Sequence, residues 1–502
     1  MGASVVRCLV RRDTYRDSVE LMRVAAAVEQ RPGVTRAALL MGTPPNRELL
    51  AGAGLLEGEA GGAGPNDLVV AVAAVDKTTA ETALAEAARL LVEQSATPAG
   101  SGERPPVRTI AAALADLPKA NLAIISTPGL YATAEALKAL KRGLHVFLFS
   151  DNVPIADEIE LKRLARKKGL LVMGPDCGTA ILDGVPLGFA NAVRRGPIGL
   201  VGASGTGLQQ VSCLIDRLGE GVSQVIGVGG HDLDERVGGA MMLEAIERLA
   251  ADPGTRVIVL VSKPPAAVVA RHLLDVARSS GKPVVVNFLG GEPAAIRAAG
   301  AIPAQTLEDA ARLAVTMSRG RKAAPGAPRA ARARIKTPRR AAGQRWIRGL
   351  FSGGTLCQEA ALILSARKAG GGHTTIDLGD DEYTVGRPHP MIDFRLRNEH
   401  IIAAAKDPAT AVILLDVVLG YGAHPDPAGA LIPAIAEARK VAAKGKRIIS
   451  FVASVCGTAA DPQGLAKQEK ALGAAGVALA PSNAQAARLA LSLARGGASK
   501  GG

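Results

Sequence analysis

Short apolar runs alternate with helix-like patterns along most of the chain. In the first hundred residues, apolar runs at 4–10, 35–41 and 68–75 predict three strands. Apolar residues at helical spacing predict a helix between the first two strands, and an alanine-rich segment at 78–91 predicts another after the third. The order strand, helix, strand, strand, helix predicts a small split-βαβ, ferredoxin-like domain over residues 1–98.

The rest of the chain alternates buried-type strands with helices, at a spacing typical of parallel sheets joined by crossover helices. One such unit is predicted over residues 107–192, and two longer ones over residues 196–318 and 345–498. The pattern therefore predicts a multi-domain α/β protein preceded by a small α+β domain.

The two longer units repeat one another. The segment IGLVGASGTGLQQVSCLI at 198–215 resembles IRGLFSGGTLCQEAALIL at 347–364, and two further pairs of blocks follow in the same order. A repeat of about 150 residues indicates duplicated domains rather than a solenoid. Two homologous domains can pair about a pseudo-two-fold axis, so we expect equivalent loops to face one another.

The positive charge of the chain is concentrated in one segment. The formal net charge is +14, and residues 319–340 carry nine Lys or Arg and no acid, together with three prolines. This composition predicts a solvated Pro/Ala linker over residues 319–343 rather than an arm that binds nucleic acid. Aromatic residues make up only 2% of the chain, which also argues against a surface that stacks on bases.

The sequence predicts a cytoplasmic protein that does not cross a membrane. The longest apolar runs have the length of a strand, far below the roughly 18 residues of a membrane span. Arginines interrupt the first apolar run, so the N-terminus does not have the pattern of a signal peptide. The five cysteines are widely spaced and include no CxxC pair, which is typical of a reducing compartment and gives no zinc signature.

Two glycine-rich loops are the strongest candidates for ligand binding. Each follows a strand and opens a helix, where free backbone N–H groups and the positive end of the helix dipole favour an anion. A lone loop of this kind is equally well explained as a capped turn, but here the loop occurs in both copies. We therefore predict a phosphate or carboxylate site formed by Gly202, Ser204, Gly205, Thr206, Gly207, Gly353, Gly354 and Thr355.

Further polar residues lie at other predicted strand ends, where open α/β sheets bind ligands. Gly229, Gly230, His231 and Asp232 form a candidate substrate-binding turn. In the second copy, Asp380 and Asp381 could hold Mg²⁺ through their carboxylates, or could form a solvated acidic turn.

Three single residues are candidates for catalysis. Lys263 ends a strand and could stabilise developing negative charge, although a surface lysine would have the same sequence context. In the segment YTVGRPHP, Arg387 suits recognition of a carboxylate or phosphate, and His389 could act as a general acid or base. A structural role is the alternative for the histidine.

Several longer motifs resemble the succinyl-CoA synthetase superfamily, the NDP-forming acyl-CoA ligases. The segment at 143–178, which ends in GPDCG, is similar to the second half of the CoA-binding domain of those enzymes, and GPIGLVGASGTGL and SQVIGVGGHD look like their first ligase domain. The second copy is similar to the ligase domain of the partner subunit. Within the superfamily, MGTPPN, GPNDLVVAV, GVPLGFAN, SGGTLCQEA and DLGDDEYTVGRPHPMID resemble the FdrA family over nearly the whole chain.

The resemblance implies a truncated Rossmann-like domain at 107–192, followed by two flavodoxin-like ligase domains. In the ligases, the two glycine-loop helices point at a phosphorylated histidine. No histidine lies between Asn287 and Gln305, where the corresponding loop would fall, and the glycine-rich loop that opens the CoA-binding unit is missing before Leu122. No nucleotide-binding domain of the ligase type is evident, so we expect neither CoA nor a nucleotide as a certain cofactor.

The FdrA resemblance implies a subunit of an oxamate carbamoyltransferase in allantoin degradation and purine catabolism. Such an enzyme converts oxalurate and phosphate into oxamate and carbamoyl phosphate, together with partner subunits. Phosphate would attack the carbamoyl carbon, and the two helix starts with Lys263 would stabilise the oxyanion. The alternatives are an acyl-CoA ligase and a non-catalytic scaffold that senses a ligand.

Overall fold

The fold was analysed in a computed structural model, which describes residues 5–16, 18–93, 107–321, 340–341, 343–365, 372–384 and 388–495. The chain divides into two compact units. The first comprises residues 1–107 with 385–388, and the second comprises residues 108–384 with 389–502. Most of the predicted linker at 319–343 lies outside the described residues.

The first unit is a three-stranded antiparallel sheet with strand order β1-β3-β2. Its central strand β3 is completely buried because helices cover both faces of the sheet. Two long helices, α1 and α3, pack on one face, while α2 and the 3-10 turn Gly58–Gly62 cover the other. The elements are β1 (Val5–Arg11), α1 (Ser18–Glu29), β2 (Val34–Met41), α2 (Pro44–Gly52), β3 (Leu68–Ala74) and α3 (Lys77–Glu93).

The second unit begins with a small parallel sheet of order β4-β5-β6. A hairpin, β7–β8, follows it and joins the next sheet through an antiparallel pairing of β7 with β10. That sheet therefore extends across residue 192, where the sequence predicts a domain boundary. The elements are α4 (Ile110–Asp116), β4 (Leu122–Ile125), α5 (Gly129–Lys141), β5 (His145–Leu148), α6 (Ile155–Lys167), β6 (Val172–Met173), β7 (Thr179–Leu182) and β8 (Val185–Gly188).

The first of the duplicated domains contributes five parallel strands to the same seven-stranded sheet, whose order is β13-β12-β11-β9-β10-β7-β8. Its strands are almost entirely buried, as expected for a parallel sheet covered by helices on both faces. The elements are β9 (Arg195–Gly202), α7 (Gly205–Arg217), β10 (Val222–Gly227), α8 (Ala240–Ala251), β11 (Val257–Ser262), α9 (Ala267–Ser279), β12 (Val284–Phe288), α10 (Pro293–Ala298), β13 (Ile302–Pro303) and α11 (Leu307–Ser318).

The second duplicated domain forms a separate five-stranded parallel sheet of order β15-β14-β16-β17-β18. Its longest strand, β16, is buried at all nine positions. The elements are β14 (Trp346–Phe351), α12 (Gly354–Ser365), β15 (Thr374–Asp377), α13 (Asp381–Thr384), α14 (Arg395–Lys406), β16 (Thr410–Val418), α15 (Pro427–Lys444), β17 (Ser450–Cys456), α16 (Leu465–Ala474), β18 (Ala478–Ala480) and α17 (Asn483–Arg495).

Both duplicated domains have the same topology. Numbered within its own copy, each set of five parallel strands lies in the order 2-1-3-4-5, which is the flavodoxin-like arrangement. The predicted multi-domain α/β class with two duplicated domains is thus confirmed. In this arrangement the strands are added first on one side of the first strand and then on the other. Ligands bind at this switch point, at the carboxyl end of the first strand. Both glycine-rich loops lie at this point.

One continuous core joins the two copies. It contains Leu208 and Val211 from α7 in the first copy and Leu356 and Ala360 from α12 in the second, all fully buried. The two helices that follow the glycine-rich loops are therefore packed into the same apolar interior. Among the described residues, no helix is both long and apolar enough to span a membrane.

Candidate functional site

The two glycine-rich loops meet, as the pseudo-two-fold arrangement predicts. The Ser204 Oγ and Thr355 Oγ1 atoms lie 2.5 Å apart, so the starts of α7 and α12 share a hydrogen bond. Contact is also close on the other side, where a Cβ added to Gly353 would lie 2.8 Å from Thr206 Cγ2. Only glycine fits at residue 353 without moving the opposite loop.

The first loop has unused hydrogen-bond donors. Ser204 is the N-cap of α7, and its Oγ accepts the Gly207 N–H at 3.1 Å. The N–H groups of Gly205 and Thr206 begin the helix and have no hydrogen-bond partner among the described residues. Together with the positive end of the α7 dipole, these two amides can bind an anionic oxygen.

The second loop already holds a carboxylate of the chain itself. The Asp416 side chain, near the end of β16, accepts the N–H groups of Ser352 at 2.9 Å and Gly353 at 2.8 Å. The buried Arg397 Nη2 donates to the same carboxylate at 2.7 Å. The N–H groups of Gly354 and Thr355 follow as the first two of α12 and have no partner in the described part of the chain.

A second carboxylate, that of Asp377, lies beside this junction, and the exposed residue Lys263 acts on it electrostatically. Burial raises the pKa of Asp377 to about 6, while the Gly379 N–H, at 3.0 Å, and the Lys263 ammonium act in the opposite direction. Lys263 also lowers the pKa of the Cys357 thiol, although burial raises that pKa overall. Lys263 belongs to the first copy, and Asp377 and Cys357 belong to the second, so charges of both copies converge here.

The two copies contribute different chemistry at equivalent positions. The strand registers align Asp377, beside Phe351, with Gly227, beside Gly202. By the same registers, Asp416 in the second copy is equivalent to the apolar residue Val261 in the first copy. The first copy therefore supplies free amides and an ammonium group, and the second supplies carboxylates as well as amides.

His389 lies at the edge of the same junction. Its Nε2 atom is 2.7 Å from the position that a Cβ of Gly379 would occupy, and its ring is 5.6 Å from that of Phe189. The Met391 N–H donates to Nδ1 at 3.2 Å, which leaves the proton on Nε2. Burial lowers the pKa of His389 to about 4, so the ring is neutral at pH 7. Arg387 lies outside the described residues.

The predicted substrate-binding turn has structural contacts. The Asp232 carboxylate accepts the N–H groups of Met241 and Met242 at the start of α8, and also the buried Lys162 ammonium at 2.9 Å. A Cβ on Gly229, whose φ is 81°, would lie 2.1 Å from Pro175 O. The His231 side chain is largely exposed. Substrate binding by Gly229, Gly230, His231 and Asp232 stays a prediction, and these contacts explain Gly229 and Asp232 without a ligand.

Binding of Mg²⁺ by Asp380 and Asp381 stays a prediction, because the structure describes only one of these two side chains. The Asp380 side chain is exposed and accepts the Glu382 N–H at 3.2 Å. The side chain of Asp381 lies outside the described residues. No group of three His, Cys, Asp or Glu side chains placed to hold a metal ion occurs in the described part of the chain.

A segment that the sequence analysis left without a role covers the strand ends of the second copy. The Asn191 amide donates to Leu419 O at 2.9 Å and to the Asp461 carboxylate at 2.8 Å. A Cβ on Gly420 would lie 2.5 Å from Ala190 O. This segment, residues 188–192, places the Phe189 ring against His389. The motif GVPLGFAN contains it, but neither charge nor periodicity marks it as part of a site.

The start of α5 gives no open cradle for a pyrophosphate group. A Cβ on Gly129 would lie 2.3 Å from Asp151 O and 2.5 Å from Asn152 O. Carbonyl oxygens of the chain therefore fill the space next to this glycine, and they repel an anion. We assign no contact with CoA to this loop.

Comparison with known families identifies the class of protein. The family model described as CoA-ligase matches residues 350–493, and the one described as CoA binding domain matches residues 193–290. The resemblance noted in the sequence places the CoA-binding-like unit earlier, at 107–192. The chain is thus built from succinyl-CoA synthetase-like CoA-binding and CoA-ligase domains with the fold of acid–CoA ligases.

A full-length relative then gives the particular family. The chain is 42% identical to the uncharacterized protein YahF of Escherichia coli K12, over 97% of this chain and 98% of that protein. It belongs to the same family as YahF.

More distant similarities cover parts of the chain. The alpha-2 subunit of the ADP-forming succinate–CoA ligase of Trichomonas vaginalis is 32% identical, over 29% of this chain and 47% of that subunit. Among solved structures, a dinucleotide-forming acetyl-coenzyme A synthetase 1 from Ca. Korarchaeum cryptofilum matches 75% of this chain and 84% of its own, with 18% identity and a TM-score of 0.34.

The N-terminal unit matches a family model described as AllF, heavy metal-associated domain, over residues 4–106. Its residues do not fit a heavy metal ion, since soft metals prefer thiolate and imidazole ligands. Residues 1–107 include a single cysteine and no histidine. That cysteine, Cys8, donates to Leu55 O at 3.1 Å, and burial raises the pKa of its thiol.

Proposed function

We propose that this protein is a succinyl-CoA synthetase-like ligase subunit that binds phosphate or an acyl phosphate between the starts of α7 and α12. The observation that carries the proposal is the 2.5 Å contact between Ser204 Oγ and Thr355 Oγ1, which brings two helix N-termini to one place. Four backbone N–H groups at these helix starts have no hydrogen-bond partner among the described residues, and two helix dipoles favour negative charge there.

The reaction that fits this site is transfer of an acyl group between phosphate and an acceptor. In the ligase direction, the thiol of CoA attacks the carbonyl carbon of an acyl phosphate, the C–O bond to phosphate breaks, and the thiol proton goes to the departing phosphate. The ligase-type domains of the chain support this reaction. We expect Lys263 and the helix amides to stabilise the oxyanion that forms at the carbonyl.

Carbamoyl transfer is the second candidate. The specific observation in its favour is the absence of histidine between Asn287 and Gln305, because this reaction requires no phosphohistidine. A phosphate oxygen attacks the carbamoyl carbon of oxalurate, the C–N bond breaks, and the nitrogen of oxamate takes a proton. A third alternative is a scaffold that only senses phosphate. The same experiment would reveal it as phosphate binding without a product.

The test uses the full chain and the complex that co-purifies with it. Phosphate binding is measured by calorimetry, and mass spectrometry then follows acetyl phosphate plus CoA in one arm and oxalurate plus phosphate in the other. We expect binding in the full chain, and a thioester from the complex in the first arm. Carbamoyl phosphate in the second arm would favour the second candidate, and binding without either product would favour a sensor. No phosphate binding would overturn the proposal.

The matched variants are Thr206→Val and Asp275→Asn. The first removes a hydroxyl at the junction while it keeps the shape of the side chain, and we expect weaker phosphate binding. Asp275 is exposed on α9 and pairs with Arg278, so its replacement should leave binding unchanged.

A further inference from the structure

We infer that the junction of α7 and α12 selects oxyanions that carry a proton, with the Asp377 carboxylate accepting the hydrogen bond from that O–H group. This inference rests on the proposed function and deepens it, because it names the class of ligand. Phosphate and acyl phosphates belong to the class, and sulfate does not.

The position of Asp377 carries the inference. A Cβ added to Gly354 would lie 2.4 Å from Asp377 Oδ2, so this oxygen lies directly beside the first residue of α12. The other oxygen, Oδ1, accepts the Gly379 N–H. Oδ2 has no hydrogen-bond partner among the described residues. Because an ionised carboxylate only accepts hydrogen bonds, a ligand oxygen beside it must bring its own proton.

Thr206 gives independent evidence that the junction is built for a ligand. Its side chain is only 8% exposed, and its hydroxyl has no hydrogen-bond partner among the described residues. It lies between the two loops, against Gly353. The fold does not use this hydroxyl, and a bound oxyanion at the junction would supply its partner.

The amide donors come from the starts of both helices, and the carboxylate acceptor comes from the second copy alone. The amides of Gly205 and Thr206 point from α7, and those of Gly354 and Thr355 point from α12. A tetrahedral anion between them can receive these hydrogen bonds on some oxygens and donate one to Asp377. A fully deprotonated anion would instead meet the negative charge of Asp377 without compensation.

The other charged groups around Asp377 act on its pKa in both directions, and the net effect is a raised pKa. Burial and the carboxylates of Asp416 and Asp380 raise the pKa of Asp377, and Lys263 lowers it. His389, which lies next to Gly379, is neutral at pH 7 because burial lowers its pKa. The junction thus favours one shared proton between Asp377 and the ligand.

Calorimetric titration of the full chain with inorganic phosphate and with sulfate, at pH 7, tests the inference. Phosphate is partly protonated at this pH, whereas sulfate has no proton to share. A hydrogen bond to a charged group contributes about 1.5–3 kcal/mol, so we expect wild-type protein to prefer phosphate about 10- to 100-fold. In Asp377→Asn the preference should disappear because sulfate binding improves. Asp275→Asn is the control of equal charge change.

The results of this titration distinguish failure of the inference from failure of the proposed function. Equal affinity for both anions in wild-type protein, or an unchanged preference in Asp377→Asn, would overturn the inference and leave the proposed function standing. Failure of both anions to bind would overturn the proposed function as well. A measurement that needs no variant is the pH dependence of sulfate binding, which should strengthen from pH 7 to pH 5 as Asp377 takes up a proton. Binding that stays constant over this range would also overturn the inference.

Discussion

Replacement of Asp377 by Asn should make the protein more stable at high pH. The side chain keeps its shape, and its oxygen can still accept the Gly379 N–H. What the variant removes is a negative charge that is held at a cost, because burial and the neighbouring Asp416 raise the pKa of Asp377. Residues that bind ligands often carry such a cost, since they are arranged for the ligand rather than for the empty fold.

The magnitude follows from the displaced pKa. A rise from the ordinary value of 3.8 to about 6 corresponds to about 3 kcal/mol between the two protonation states. A carboxyl group whose pKa is raised in the folded state penalises folding once it is ionised. The penalty is complete above about pH 6, decreases as the pH falls from 6, and is absent below 3.8.

The assay is thermal unfolding followed by the fluorescence of Trp346, the single tryptophan of the chain, which lies in the same domain as Asp377. We expect the variant to unfold about 6 °C above wild type at pH 8, at about 2 °C per kcal/mol. At pH 4.5 the residual penalty is about 1 kcal/mol, so the difference should shrink to about 2 °C.

A control variant should change the stability of the protein in the opposite direction. Asp426 caps α15, and the Gln468 amide lowers its pKa, so Asp426→Asn should destabilise the protein at pH 8 and by nearly the same amount at pH 4.5, which still lies above the ordinary pKa of 3.8. The reasoning would be refuted if Asp377→Asn lowered the melting temperature at pH 8, or shifted it equally at both pH values.

Three further predictions concern the same domains. Arg397→Met should destabilise the second copy by about 3–5 kcal/mol in urea unfolding, because it leaves the Asp416 charge buried without its partner; an additional Asp416→Asn change should recover part of this loss. Gly353→Ala should separate the loops and weaken phosphate binding in calorimetry, whereas Gly473→Ala, which has open space, should not. The thiols of Cys177 and Cys357, whose pKa burial raises to about 12, should resist alkylation by iodoacetamide at pH 8 in folded protein; rapid alkylation would contradict their buried positions.

The duplication and the meeting of the loops could be predicted from the sequence because both depend on repeated local patterns. Gly205 and Gly354 each follow an apolar strand and begin a helix, and two such segments in homologous order imply equivalent positions. The strand order of each sheet then places them at the switch point, where the strand order changes direction.

The charges that distinguish the two sides of the site could not be found in this way. Asp416 lies within a buried strand, and its contact with Ser352 depends on strand register rather than on spacing along the chain. Arg397 is likewise an ordinary helix residue in the sequence, although it is completely buried in the fold. Asp232 shows the reverse, because its position in a polar turn suggested a ligand and the structure gives it internal partners.

The most direct test of the central claim is a crystal structure of the protein soaked with arsenate at pH 7, a tetrahedral oxyanion that carries a proton as phosphate does and can be located by its anomalous scattering. The account predicts one strong peak between the starts of α7 and α12, within about 3 Å of the N–H groups of Gly205, Thr206, Gly354 and Thr355. An empty junction, with arsenate bound elsewhere or not at all, would contradict it.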